Sequence, residues 1–301
     1  MKKNKKPILV VDGNNMAHRA FNAHSFLSHK GKSVAMMFGV PYILQGLILK
    51  YKPKKIYFVW DGFKRRERLA ICPEYKQTKT RMKNKEDGES TLKEWLRQQK
   101  AVKAILRALG IPQVHNAEME ADDYVYMLVD KYLGKRKVII VSNDKDFHQL
   151  VSGDVVQHSE KYSDVISEVN FERLIGVNQS DFIDHLILVG DKSDNIKGYP
   201  GIGEVRAKKF LSEFGTISDF LDGDEVYKGI DRKKLKELYN VNRVMMDLEY
   251  FHEKYVRGKM KVTYYKDDSK PKVNEVKLRK LCEKYALRSF AKSTFIERFK
   301  L

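Results

Sequence analysis

Three short, β-branched apolar runs end on an acid, and this repeat constrains the fold more than any other feature. Ile8–Val11 runs into Asp12-Gly13-Asn14, Ile56–Trp60 into Asp61-Gly62, and Val138–Val141 into Ser142-Asn143-Asp144. Runs of this length and composition read as buried strands, and the polar residues that follow read as loops. Between them lie segments with apolar residues at helical spacing: 34–50, 92–109 closed by Gly110, and Asp122–Leu133 stopped by Gly134. Val114–Ala117 and a run starting at Val155-Val156 read as further short strands. Strands alternating with helices predict an α/β fold with a central, mostly parallel, twisted sheet flanked by helices. Sites in such sheets gather outside the carboxyl ends of the strands, where Asp12, Asp61 and Asp144 lie.

The division of the chain follows from the same pattern. Residues 1–170 read as the α/β core and 171–301 as a helical region. A polar stretch, Lys266–Lys272, precedes a final helix over Glu275–Tyr285. A hydrophobic fraction of 42% over 301 residues supports a packed core. The apolar run after the basic N-terminus is too short for a signal sequence, and no segment reads as a membrane anchor. Cys72 and Cys282 form no paired motif, which argues for a reducing compartment, expected to be cytoplasmic, and against thiolate-held zinc.

Nine carboxylates recur at such positions: Asp12, Asp61, Glu120, Asp122, Asp123, Asp144, Asp146, Asp191 and Asp194. Asp191 and Asp194 are spaced to share a helix face, as are Glu120 and Asp123. Singly, an Asp after a strand is commonly a turn former, and Glu120 and Asp122 suit the start of a helix as caps. Gathered together they would repel one another without a cation, and an all-oxygen donor set suits Mg²⁺ or Mn²⁺.

The rest of the chain carries the opposite charge. The formal net charge is +18 and the pI near 9.6, so a polyanion, nucleic acid first, is the expected partner. Lys64, Arg65, Arg66, Arg68, Lys76, Lys79, Arg81, Lys83 and Lys85 crowd one segment after Asp61, with Tyr75 among them. Such a run fits a strand-tracking surface on which a base can stack, or a solvated loop. Gly198-Tyr199-Pro200-Gly201-Ile202-Gly203 precedes a helical stretch bearing Arg206, Lys208 and Lys209, an arrangement that lets backbone N–H groups approach a phosphate.

In this order, these motifs resemble the bacteriophage flap endonucleases and the N-terminal 5′-nuclease domain of bacterial DNA polymerase I. Val10-Val11-Asp12-Gly13-Asn14, Val59-Trp60-Asp61, Pro73-Glu74-Tyr75-Lys76, Glu120-Ala121-Asp122-Asp123, Val141–Asp146, Gly190–Asn195 and Gly201-Ile202-Gly203 carry the likeness, which spans Ile8 to about Phe251. It implies a PIN-like 5′-nuclease core with a helical arch over about 64–99. It also implies a helix–hairpin–helix-type region over about 191–214, with K⁺ at the Gly201–Gly203 hairpin. The activity implied is two-metal hydrolysis near the 5′ ends of flaps and nicks in DNA, in replication or repair. Asp61, Glu120, Asp122 and Asp123 would hold one Mg²⁺, with Asp12 ordering water around it. Asp144, Asp146, Asp191 and Asp194 would hold the second, with Mn²⁺ able to substitute. Lys76 matches the active-site lysine and Arg68 the basic residue at the start of the arch. Where the family commonly has arginine three residues after that lysine, this chain has Lys79, which keeps the charge and loses the bidentate fork. Tyr75, Arg65, Arg66, Arg81, Gly201, Gly203, Arg206, Lys208 and Lys209 would contact DNA. The alternatives are removal of RNA primers from RNA–DNA hybrids, a non-catalytic DNA-binding protein, and a toxin-like RNase; the last lacks a reason for the second acidic pair. A monomer is expected, meeting a polymerase or single-strand-binding protein in trans.

Overall fold

A computed structural model describes residues 5–62, 66–77, 89–115, 119–257 and 272–301. The first strand, β1 (Ile8–Asp12), is buried along its whole length and leads into α1 (Gly13–Ala23). A small antiparallel pair, β2 (Ser28–His29) and β3 (Lys32–Ser33), precedes α2 (Ala35–Tyr51) and β4 (Lys55–Val59). Helices α3 (Arg66–Ile71) and α4 (Glu89–Ala108) follow, then β5 (Gln113–Val114), α5 (Ala121–Tyr132), β6 (Val138–Val141) and β7 (Val155–His158).

The five long-range strands form one sheet in the order β5-β4-β1-β6-β7, with every pairing parallel. From β1 the chain moves out to β4 and β5, then returns to the other side of β1 for β6 and β7. The carboxyl end of β1 is therefore the point where strand order reverses, which is where α/β sheets open a crevice. Register completes the arrangement: Asp12 lies beside Val59 and Val11 beside Val141, so Asp12, Val59 and Ser142 come to one level.

Alternate residues of these strands feed two cores. Leu9, Val11, Phe58 and Ile139 pack under α1, α2 and α4, while Val10, Val59 and Ile140 pack under α5. A third core holds the helical region together: α6 (Phe171–Ile175), α7 (Phe182–Val189), α8 (Glu204–Phe214), α9 (Ile217–Asp222) and α10 (Arg232–Met246). After α10, Leu248, Phe251 and Val256 return to the α5 core. The helix expected near the C-terminus, α11 (Glu275–Lys284), also departs from the grouping expected from the sequence. Leu278 and Cys282, with Phe290, Phe295 and Phe299 beyond them, pack against α2 and α4 rather than on the helical region. No helix among the described residues is long and apolar enough to cross a membrane.

Candidate active site

Seven of the nine carboxylates line one cavity of about 460 Å³ at the carboxyl edge of the sheet: Asp12, Asp61, Asp122, Asp144, Asp146, Asp191 and Asp194. Local rules fix several of them. Asp12 caps α1, its Oδ1 accepting from the Asn15 backbone N–H at 3.0 Å while Oδ2 accepts from the Ser142 hydroxyl at 2.8 Å. Asp61 accepts from the Asn14 side-chain amide, and its Oδ1 accepts the Ala121 N–H at 2.9 Å, the first orphan donor of α5. Asp144 accepts from the Asp146 N–H at 3.1 Å as β6 passes into a 3₁₀ turn over Lys145–Leu150.

Asp191 and Asp194 arrive by a different route from the helix face that their spacing suggests. They sit on a tight hairpin, β8 (Gly190–Asp191) and β9 (Ile196–Lys197), whose turn is pinned by Asp191 accepting from Ser193 N–H and Oγ at 2.6 and 2.7 Å. The i,i+3 spacing served a turn because Gly190, at φ +76°, leads the chain out of α7 where a Cβ would lie 2.3 Å from the Gly198 nitrogen.

Glu120, Asp123 and Arg68 are held beside the cavity and do not line it. Arg68 donates to both Asp123 oxygens at 2.7 and 3.1 Å and to Glu120 Oε2 at 2.8 Å, with all three side chains buried. Its guanidinium stacks 3.9 Å from the Phe251 ring. Asp123 also accepts the Glu120 backbone N–H, so it serves the helix start as well as the ion pair. Tyr75, read as a stacking platform, is 4% exposed and donates its hydroxyl to Glu120 Oε2 at 3.0 Å. A basic, aromatic-containing run carries no mark that tells an exposed ring from a buried one.

Lys76 does face the cavity. Its backbone takes the left-handed region (φ 56°), its N–H donates to the Asp194 carbonyl at 2.8 Å, and its ammonium reaches Glu120 Oε1 at 2.7 Å and Asp194 Oδ2 at 3.7 Å. Burial works against the charged amine, but the Glu120 carboxylate and its acidic neighbours outweigh it and hold the lysine protonated. Asn14, Asn15, His18, Asn143, Lys145 and Lys161 also line the cavity, and none of them was assigned a role from the sequence. Asn14 and Asn15 had a signal, since they follow the strand-end acid directly. Lys145 lies 3.1 Å from Asp191 and sits between two of the acids in sequence.

The acids bear the cost of crowding. Burial, with lesser contributions from Asp61 and Asp144, lifts the Asp12 carboxyl to about 7 against the hydrogen bonds from Asn15 and Ser142. Burial and the charges of Asp144, Asp191 and Asp194 lift Asp146 to about 7, and Asp122 is raised as well, by burial and then by Asp144, Glu120 and Asp61 against the pull of Lys76. Burial also disfavours the Asp191 carboxylate, but Ser193 and Lys145 bring it below the usual range. Among the described residues, no group of three or more His, Cys, Asp or Glu stands close enough to hold an ion without movement. The residues expected to hold two ions thus stand around an acid-lined cavity, with Glu120 and Asp123 beside it.

The glycine turn lies at the start of α8. Gly201 is in the left-handed region (φ 78°) and Gly203 is exposed. Arg206 is committed to the scaffold, donating to the carbonyls of Gly201 and Lys228 at 2.7 Å each, whereas Lys208 and Lys209 project into solvent. Arg65, Lys79, Arg81, residues 64–65 and 78–88 of the expected arch, and the side chain of Arg66 lie outside the described residues.

An acid-lined crevice with a half-buried lysine, at the switch point of a parallel sheet and next to a helical half, defines a class of hydrolases that act on phosphate esters. The particular family follows from two matches: "5'-3' exonuclease, N-terminal resolvase-like domain" over residues 7–176 and "5'-3' exonuclease, C-terminal SAM fold" over 177–257. The chain belongs to the 5′-3′ exonuclease family, and it is a nuclease. It is 31% identical over 235 residues to the 5′-3′ exonuclease of Buchnera aphidicola subsp. Schizaphis graminum, covering 77% of this chain and 79% of that one. It is 30% identical over 233 residues to DNA polymerase I of Mycobacterium tuberculosis, covering 75% of this chain but only 25% of the polymerase. In structure it is similar to the bacteriophage T5 D15 flap endonuclease in a pseudo-enzyme-product complex with DNA and metal ions, with TM-score 0.68, 19% identity, and coverage of 98% and 100%.

Proposed function

We propose that this chain hydrolyses phosphodiester bonds near the 5′ ends of flapped or nicked DNA, using divalent cations, Mg²⁺ foremost, held in the acid-lined cavity. One observation carries the reading: carboxylates from five separate segments converge with Lys76 on one cavity. Their chemistry fits hard, oxygen-seeking ions, and the Asp12, Asp122 and Asp146 carboxyls, raised chiefly by burial and then by neighbouring acids, would ionise more readily beside a cation. The mutual influence of these acids suggests two groups. Asp12, Asp61 and Asp122 would serve one ion and Asp146, Asp191 and Asp194 the other, with Asp144 between them.

When bound, such ions supply an activated water and screen the phosphate charge. The chain's own residues do the rest. Lys76, kept charged by Glu120, offers an ammonium at the cavity wall to the negative charge that develops on the phosphate. The Arg68–Asp123–Glu120 network holds the start of α5, and so Asp122, in place. Ser142 and Asn14 fix the orientation of Asp12 and Asp61. Exposed Lys208 and Lys209 beside the glycine turn would grip duplex phosphates. K⁺ at that turn would require Arg206 to release the Gly201 carbonyl.

A labelled panel with Mg²⁺ (5′ flap, nick, blunt duplex, RNA-primed hybrid, and an EDTA control) tests the reading. Flap and nick substrates should be cut fastest and EDTA should abolish cleavage. Cleavage that persists in EDTA, or no preference for 5′ ends, would overturn it.

A further inference from the structure

Outside the acid-lined cavity, the described residues hold a smaller one of about 220 Å³ with the opposite electrostatic character. It is lined by Trp60, Lys103, Arg107, Ile111, Gln113 and His115. Lys103 and Arg107 stand one turn apart near the end of α4, and no described carboxylate pairs with either. The cleft is built rather than incidental. Trp60 donates its indole N–H to Gln113 Oε1 at 3.0 Å, and Gln113 donates in turn to the Lys103 carbonyl at 2.9 Å. The Lys103 ammonium is held 4.8 Å from the centre of the Trp60 ring, so ring and cation are positioned together. Burial and the neighbouring Arg107 charge pull the Lys103 amine below its ordinary range, an uncompensated positive field that an anion would relieve. Trp60 is the residue before Asp61, so the cleft adjoins the acid-lined cavity on the outer flank of β4.

We infer that this cleft is a second phosphate subsite, taking a phosphate of the nucleic-acid strand while another sits at the acidic cavity. Lys103 and Arg107 supply the charge, and the buried Trp60 ring holds the Lys103 ammonium in position. A phosphate gripped beside Asp61 would fix the strand on the flank of the acidic cavity and raise affinity without entering the bond-breaking step. The inference rests on the reading of the substrate as DNA.

The test is equilibrium binding of a 5′-flap DNA in Ca²⁺ across a salt series, together with single-turnover cleavage in Mg²⁺. The variants are Lys103→Gln/Arg107→Gln, the charge-keeping Lys103→Arg/Arg107→Lys, and Lys137→Gln, which removes an exposed charge at the amino edge of β6. Losing one phosphate contact makes the slope of log K against log salt shallower by about 0.9. Only the neutralised pair should show that change, with several-fold weaker binding and an unaltered rate at saturating enzyme. The charge-keeping pair should match the wild type, which separates lost charge from lost packing. Each variant is run on 5′-phosphorylated and 5′-hydroxyl strands. A penalty confined to the phosphorylated strand identifies a terminal phosphate, and an equal penalty on both identifies an internal phosphodiester. A neutralised pair that keeps the wild-type slope and affinity would overturn the subsite. A wild-type chain that fails to bind DNA at all would overturn the substrate reading instead.

Discussion

Replacing Arg68 tests whether it works as scaffold or as part of the reacting site. Arg68, Glu120 and Asp123 are 4%, 2% and 3% exposed, and the guanidinium spans both acids with contacts of 2.7 to 3.1 Å. Deleting one partner of a buried ion pair costs about 3–5 kcal/mol, because the remaining charge is stranded without solvent. Here Glu120 keeps Lys76 and Tyr75, so the stranded group is chiefly Asp123. Arg68→Met should therefore lose about 3–4 kcal/mol, read as a lower urea midpoint at unchanged m-value. Arg68→Met/Asp123→Leu should recover most of the loss, since replacing both partners leaves no buried charge without a partner, Glu120 keeping Lys76. At a temperature where Arg68→Met remains folded, Ca²⁺-dependent DNA binding should survive. A loss under about 1 kcal/mol, or a double variant no better than the single, would refute the argument that the network is a buried, mutually dependent unit.

Lys76→Ala should keep the fold while single-turnover cleavage falls by about 10²–10³, the usual effect of removing one charge-stabilising donor; a loss under tenfold would place the lysine outside the reacting site. Asp144→Asn or Asp191→Asn should abolish most cleavage and leave Ca²⁺-dependent DNA binding measurable by anisotropy, whereas full activity in either would remove that acid from the ion set. In the metal-free chain, Asp12 and Asp146 move from 3.8 to about 7, so the folded state holds extra protons between those values. Thermal stability in EDTA should therefore fall as pH rises from about 4 to about 7, and added Mg²⁺ should restore more of it at pH 8 than at pH 5. A metal-free melting temperature that climbs through that window would contradict the crowding of the acids. Gly190→Ala forces a side chain into the left-handed region and against the Gly198 backbone, so it should cost at least about 2 kcal/mol and reduce cleavage by displacing Asp191 and Asp194; near-native melting and activity would show that the hairpin does not position them.

The amino-acid sequence alone determined the features that rest on local chemistry. Apolar β-branched runs make strands whatever surrounds them, so β1, β4 and β6 and the acids at their ends were legible, as were the helices between them. So was the family, because ordered motifs survive at about 31% identity. Tertiary structure alone decided how each charged group is used. Spacing put Asp191 and Asp194 on a helix, but a glycine exit from α7 turned that segment into a hairpin. Composition set Arg68 and Tyr75 in a DNA-tracking run, yet both are buried against Glu120. Arg206, beside the glycine turn, is spent on two backbone carbonyls. The reason is common to all these cases. A side chain's charge is written in the sequence, but its partner and its access to water depend on residues tens of positions away, which only packing brings within hydrogen-bond reach.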